Sequence, residues 1–325
     1  MPTNSAPLVS VVIPAYNHEA YVQQTIRSII AQTYANIELL VLNDGSKDAT
    51  FEKINEMKEE CQDRFATIWF HSHANMGTCA TLNALLEQAK GKYVYLIASD
   101  DLAKPQAIQC LVDILEADDQ CVLAVGDNEY IDADGVRVYK ARNRENVTDE
   151  AEAEYTTLAA LFCDNKFEKY LSNSFGSYES LLQGNYIPNG YVMRRDIIEW
   201  AGRYKAEAPL EDYYMALQMA KQGTLRFCGE VLFSYRLHNS NTSANVAHME
   251  KITATTLLYE LRQVALSDNE AAKLQAQAYM TKRHYLFALQ PVIAAYRVRN
   301  RLISDLYLEV FGKSFSLHKK RRYQE

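Results

Sequence analysis

Gly91-Lys92-Tyr93-Val94-Tyr95-Leu96-Ile97-Ala98-Ser99-Asp100-Asp101 decides the fold. It holds a turn residue, then a β-branched and aromatic run, then two adjacent carboxylates. A short apolar run bounded by Gly and acids reads as a buried central strand. Two carboxylates at its carboxyl end are costly there without a positive partner. In open α/β sheets ligands bind outside the carboxyl ends of strands. Asp100 and Asp101 therefore read as the floor of a site holding a divalent cation through oxygen ligands. The competing reading is a helix start, with Asp101 as its cap and Pro105 in its first turns.

Outward from this stretch the pattern alternates. Leu8 to Ile13 reads as a buried strand stopped by Pro14, and Tyr21 to Ile30 as a helix with Val22, Ile26, Ile29 and Ile30 on one face. Ile37 to Leu42 is a second strand, followed by a polar helix over Lys47 to Glu60. Thr67 to Phe70 is a third strand, and a helix over Thr81 to Ala89 leads back to the opening stretch. Such alternation predicts right-handed crossovers and a largely parallel sheet. Beyond Asp101 the pattern predicts a helix over Gln106 to Glu116, strands over Val122 to Val125 and Tyr130 to Asp132, and a turn at Asp134-Gly135. A polar excursion covers Ala141 to Glu154, and Thr156 to Phe162 reads as helical. Gly190 to Met193 is a short strand, Glu211 to Lys221 a helix, and Leu225 to Phe227 and Val231 to Tyr235 are late strands. From Ala247 the pattern is helical and broken by Pro291.

The totals narrow the function classes. A chain of 325 residues with 48% hydrophobic content builds an ordinary globular core. A net charge of −7 argues against a general nucleic-acid binder. The C-terminus is nevertheless basic, with Lys313, Lys319, Lys320, Arg321 and Arg322 crowded together. The cysteines form no CxxC pair, which argues against zinc and for reduced thiols. Met1–Pro7 lacks a basic start and an apolar run, and no apolar run is long enough to span a bilayer; a cytoplasmic location is expected. There is no Walker loop and no GxGxxG, so a nucleotide here would be held by side chains and a metal.

The ordered set of motifs resembles glycosyltransferase family 2. Val9-Ser10-Val11-Val12-Ile13-Pro14-Ala15-Tyr16-Asn17 looks like that family's opening, and Asn43-Asp44-Gly45-Ser46-Lys47-Asp48 like its DDGSxD segment. Asn75-Met76-Gly77, Gly91-Lys92-Tyr93 and Ser99-Asp100-Asp101 follow in order. Glu211-Asp212 resembles its ED motif, and Tyr235-Arg236-Leu237-His238-Asn239-Ser240-Asn241-Thr242-Ser243 its late YRxHxxNxS segment. The resemblance implies a GT-A fold, an α/β Rossmann-like, mostly parallel central sheet flanked by helices, over residues 1–243. A helical C-terminal appendage over 244–325 follows.

Carried over residue by residue, the resemblance assigns Pro14, Ala15, Tyr16 and Asn17 to the nucleobase side of a nucleotide-sugar donor. It assigns Asp44 to the uracil or ribose, although Asp44 also suits a helix cap near Ser46. Asn75 and Gly77 would shape the donor loop. Asp101 would hold the metal, Mg2+ or Mn2+, with Asp100 on the ribose or donor sugar; either acid can serve the metal. His238 would join the metal or the diphosphate, and Arg236 would offset phosphate charge. Asp212 is the expected catalytic base beside Glu211, whose like charge raises the pKa of one of the pair. Acids at a helix N-terminus are the plainer explanation of the same dipeptide.

The expected reaction is inverting transfer of a hexose or N-acetylhexosamine from a UDP-sugar to a glycan, lipid-linked in surface polysaccharide or O-antigen synthesis. Two other classes fit the composition: a sugar-nucleotide nucleotidyltransferase, and a non-catalytic sugar-binding protein. The basic, aromatic C-terminal segment suggests peripheral contact with an anionic membrane. Its apolar positions Leu286, Leu289, Val292, Ile293 and Leu302 equally suit packing on the catalytic domain or in a homo-oligomer.

Overall fold

The structure, a computed structural model, describes residues 6–289, 299 and 301–310. Its strands are β1 (Val9–Ala15), β2 (Ile37–Asp44), β3 (Thr67–His73), β4 (Tyr93–Leu96), β5 (Leu102–Ala103), β6 (Cys121–Ile131), β7 (Arg137–Lys140), β8 (Asn146–Val147), β9 (Tyr191–Arg194) and β10 (Thr224–Arg236). They pair in the order β3-β2-β1-β4-β9-β6-β10-β5, with β7 and β8 hung from β6. β3, β2, β1 and β4 are mutually parallel, as the alternation predicts. β9 runs antiparallel between β4 and β6, and β10 is again parallel to β6. β1, β2, β4, β6 and β10 therefore point their carboxyl ends to one edge.

The helices are α1 (Val22–Ile30), α2 (Thr50–Glu56), α3 (Lys58–Arg64), α4 (Thr78–Gln88), α5 (Ala107–Ala117), α6 (Leu158–Cys163), α7 (Glu168–Leu171), α8 (Tyr178–Leu181), α9 (Arg195–Trp200), α10 (Glu211–Ala220), α11 (Val246–Leu266) and α12 (Glu270–Leu289). Strand residues alternate between two cores. Val9, Val11 and Ile13 of β1 join Leu39 and Val41 of β2 under α1 and α5. Val12 joins Leu40 and Leu42 on the opposite face, under α4 and α10. Both faces are covered, which is why the central strands read as continuous apolar runs.

Four expectations needed correction. Pro14 does not stop β1; it pairs with Leu42 beyond the last β4 partner, where only one neighbour requires a ladder donor. The helix expected from Lys47 starts at Thr50 and is split at the buried Met57. Its early start is lost because Asp48 accepts from the Thr50 N–H at 3.1 Å, closing a local turn. β6 is one strand, not two: Asp127, Asn128 and Glu129 lie in its middle and are buried. Asp127 accepts from the Ala159 N–H at 2.9 Å, and Glu129 is held by Lys104, Arg137 and Ser234, so the polar run survives burial. β10 likewise runs unbroken through Cys228-Gly229-Glu230, with register irregularities beside it rather than a gap.

Beyond residue 243, Leu257, Leu261 and Val264 of α11 and Ala272, Ala276, Tyr279 and Met280 of α12 enter the same core as Met215, Leu217 and Met219 of α10. Glu260 of α11 is buried and bonded by Tyr178 at 2.9 Å, Gln218 at 2.7 Å and Lys221 at 2.9 Å. The Thr256 hydroxyl accepts from the Leu210 N–H, one residue before α10, at 2.9 Å. Arg299 donates to Tyr279 at 2.7 Å and to the carbonyls of Leu182 and Gln183, and Arg283 to Gln183, so these cations brace the packing. Leu302 is 40% exposed. The side chains of Leu286 and Leu289, residues Val292 and Ile293, and the basic cluster Lys313 to Arg322 lie outside the described residues.

Candidate active site

The site forms where the parallel strands end. After β4 the chain turns through Ser99-Asp100-Asp101, and the two acids part company. Asp101 is 1% exposed, and its carboxylate accepts from the Arg236 N–H at 2.8 Å. Its carbonyl accepts from the Thr25 hydroxyl at 2.8 Å. Burial first, and the neighbouring Asp100 charge second, push Asp101 well above the usual carboxylate range. Asp101, expected on the metal, is therefore a structural tie between the β4 and β10 ends.

Asp100 turns the other way. Its Oδ2 lies 3.0 Å from His238 Nε2 and 3.7 Å from His18 Nε2. His18, a loop residue after β1, carried no sequence signal beyond its place next to Asn17. Burial favours the neutral His18 ring and holds it below its usual pKa, partly opposed by the Asp100 charge. One ligand atom from each of His18, Asp100 and His238 falls within 4.8 Å of the others. Neutral imidazoles and a carboxylate suit a divalent first-row cation, so these residues fit the implied metal.

Arg236 is fully buried and does not face a donor. Its guanidinium donates to the carbonyl of Asp100 at 2.7 Å, to those of Asp132 and Ala133, and to Gln24 at 2.9 Å. It also lies 5.0 Å over the Tyr21 ring, which stacks on His238 with centroids 4.8 Å apart. The phosphate-neutralising role expected of Arg236 gives way to fixing the backbone under Asp100 and the ring beside His238.

On the β1–β2 side, Asp44 accepts from the N–H groups of Met76 at 2.7 Å and Gly77 at 3.0 Å, and His73 sits 3.2 Å from it. It caps the approach to α4, not the helix after Ser46. Gly77 takes φ +84, and a Cβ on Gly45 would meet Asn75 N at 2.6 Å, so both turns require glycine. Asn17 adopts φ +54 and accepts from the Lys47 N–H at 2.9 Å, pinning the two loops together. Pro14 and Ala15 belong to β1 and Ala15 is buried, whereas Tyr16 is 39% exposed at the rim and Asn75 is exposed.

A cleft of about 730 Å3 joins this site to the start of α10. Asn185, Asp212, His238 and Asn241 line it together with the apolar side chains of Leu158, Leu161, Phe162 and Met249. Asp212 accepts from Asn185 Nδ2 at 3.0 Å and from the Tyr213 N–H at 2.6 Å. Burial, and then the Asp212 charge, push Glu211 up to about 7. Burial also raises Asp212, against the pull of those two hydrogen bonds. Among the described residues no Lys, Arg or His forms an ion pair with either acid. In sequence Asn185 reads as the start of a loop in an acceptor-side segment, Asn185 to Tyr204, and nothing local marks it as the partner of Asp212.

The mostly parallel sheet flanked by helices is a fold of the GT-A glycosyltransferase type. Residues 10–175 match the model of Glycosyl transferase family 2, and the chain belongs to that family. It is 30% identical over 259 residues to an uncharacterized glycosyltransferase of Haemophilus influenzae, covering 79% of this chain and 73% of the relative. It is 26% identical over 257 residues to a hyaluronan synthase of Pasteurella multocida, covering 76% of this chain but only 22% of that protein. Among solved structures, it is similar to a mannosyltransferase of Pyrobaculum calidifontis in complex with GDP-Man and Mn2+, with a TM-score of 0.57 at 16% identity over 99% of this chain and 84% of that one. It is also similar to S. aureus TarS 1-349 in complex with UDP, with a TM-score of 0.54 at 14% identity over 86% of this chain and 72% of that one.

Proposed function

We propose that the protein transfers a hexose or N-acetylhexosamine from a UDP-sugar to a glycan acceptor with inversion, in a divalent-metal-dependent reaction. The observation that carries the reading is the cleft itself: one wall bears Asp212, a half-buried carboxylate without a cation, and His238, in contact with Asp100, also lines it. Asp212 is the base that takes the acceptor hydroxyl proton as that oxygen attacks the anomeric carbon. Asn185 and the Tyr213 N–H fix its two oxygens, and burial raises its basicity. Asp100 and His238 would hold the cation, which offsets the charge of the departing diphosphate. Tyr16 at the rim offers its ring to the base, and Asn17, Asp44, Asn75 and Gly77 shape the loop below. The apolar cleft lining supports a lipid-linked acceptor of surface polysaccharide or O-antigen synthesis. Among the described residues no helix is long and apolar enough to cross a membrane. The basic C-terminal segment supports peripheral contact with the inner face of a membrane as part of this reading.

A donor screen tests the reading. The purified chain is given Mn2+ or Mg2+ and a panel of UDP- and GDP-sugars, with released nucleotide as the readout. Release with a UDP-sugar, abolished by chelation, is the expected result. Release with GDP-sugars alone would move the donor assignment. Pyrophosphate formed from a sugar phosphate and a nucleoside triphosphate would identify a nucleotidyltransferase, and no turnover with retained sugar binding a binding protein.

A further inference from the structure

We propose that His18 is a third protein ligand to the cation, and that the resulting set of two imidazoles and one carboxylate selects a first-row transition ion such as Mn2+ over Mg2+. The inference rests on the reading above for its biological setting, but it concerns the chemistry of the cluster itself.

The argument begins with what stands behind each ring. His18 Nδ1 is 2.7 Å from the Ser99 hydroxyl, and His238 Nδ1 is 2.8 Å from the Ser240 hydroxyl. Each histidine thus has its distal nitrogen bonded to a serine and its Nε2 turned toward the same Asp100 oxygen. Asn241 Nδ2 also lies 3.3 Å from His238 Nε2. In the tautomer in which both Nδ1–H groups donate to the serines, two lone pairs and a carboxylate oxygen converge with no proton among them. A cation resolves that arrangement. Metal-bound histidines elsewhere are oriented in this way, through a hydrogen bond from the nitrogen that does not bind.

The spacing agrees. Neighbouring ligands about 2.1 Å from an ion stand roughly 3.0 Å apart at the octahedral right angle and roughly 3.4 Å apart at the tetrahedral angle. The separations from Asp100 Oδ2 are 3.0 and 3.7 Å, so the His238 spacing already matches a shared ion and the His18 ring needs only a small inward shift. The rings are held for the purpose: His18 and His238 meet edge to face at 5.7 Å, and Tyr21 backs His238. Asp101, next to Asp100 in sequence, is committed to the Arg236 N–H. The protein therefore offers two nitrogens and one oxygen-bearing group. Mg2+ favours oxygen ligands and an octahedral water shell, whereas imidazole suits transition ions.

The test reads the metal directly. Mn2+ is titrated into the purified chain, with and without UDP, and followed by electron paramagnetic resonance and by spin-echo modulation, which detects nitrogen bound to the ion. The wild type should show two bound nitrogens, and His18→Gln one, with Mn2+ affinity lowered at least about tenfold. Ser99→Ala should weaken Mn2+ binding less while keeping both nitrogens. Mg2+ should displace Mn2+ only at large excess. Thermal melts of both variants confirm that the fold is intact, and His18→Ala serves if His18→Gln melts early. Unchanged affinity and nitrogen count in His18→Gln, or ready displacement by Mg2+, would overturn the proposal. Two nitrogens on Mn2+ without sugar transfer would leave the site standing and remove the transferase reading; transfer with a single nitrogen would do the reverse.

Discussion

Helix α10 has carboxylates at both ends, its own pair at the first turn and Glu260 of α11 against the last, and the two ends are built on opposite rules. At its last turn, Gln218 and Lys221 meet Glu260 of α11, which is fully buried and receives three hydrogen bonds, one of them from an ammonium. At its first turn, Glu211 and Asp212 form no ion pair with a Lys, Arg or His among the described residues, and Asp212 lines the cleft. A buried acid given a counter-charge holds helices together. A pair denied one is held ready to take a proton, at a cost to stability. The helix N-terminus offsets part of that cost.

The sharpest way to break this contrast is Asp212→Asn. It should lower kcat by about 10²–10⁴-fold with little change in the donor KM, measured as released nucleotide at saturating acceptor. A fall in donor affinity with turnover intact would make Asp212 a binding group. Glu260→Ala is the converse. Removing one partner of a buried ion pair costs about 3–5 kcal/mol, so urea unfolding should shift strongly. The folded fraction should keep its turnover at low temperature; loss of turnover without loss of stability would erase the distinction.

The pH dependence separates the two ends again. Glu211 is raised from 4.5 to about 7 in the folded protein. A raised carboxylate binds its proton more tightly when folded, so its contribution to stability is full below its unfolded pKa and is lost as pH rises through about 7. Glu211→Gln should therefore stabilise the protein by about 1–3 kcal/mol at pH 8 and by almost nothing near pH 4, read from melts across that range. Transfer by the wild type should rise over the same window as the pair gives up its proton. The smallest effect belongs to Thr256→Val. Leaving the buried Leu210 N–H unpaired should cost about 1–3 kcal/mol and lower turnover modestly through Asp212, with Thr256→Ser restoring both.

Much of the architecture was legible in the sequence, because period-2 and helical patterns report which faces are buried. The parallel β3-β2-β1-β4 half follows from the alternation alone. The ED pair and the acids after β4 stood out because carboxylates at element ends are costly without a purpose. What could not be read was partnership. Asp100 and Asp101 are neighbours in sequence, and only the turn after Leu96 sends one toward two histidines and the other to a backbone N–H. Arg236 looks like a phosphate ligand until its acceptors are known to be carbonyls 100 or more residues away. His18 has no local signal, since its partners come from β4 and β10. The unbroken β6 was hidden for a related reason: the partners that satisfy Asp127 and Glu129 come largely from other elements.

The bond from Leu210 to Thr256 also bears on how such enzymes can be recombined. The segment after residue 243 resembles a detachable tail in sequence, yet it holds the ledge on which the acid pair stands. A chimera that joins this catalytic half to the C-terminal helices of a relative would exchange the foundation of α10 along with them. Junctions placed upstream of β9, so that α10, α11 and α12 travel as one cassette, should preserve the mutual fit that a cut at residue 243 would divide.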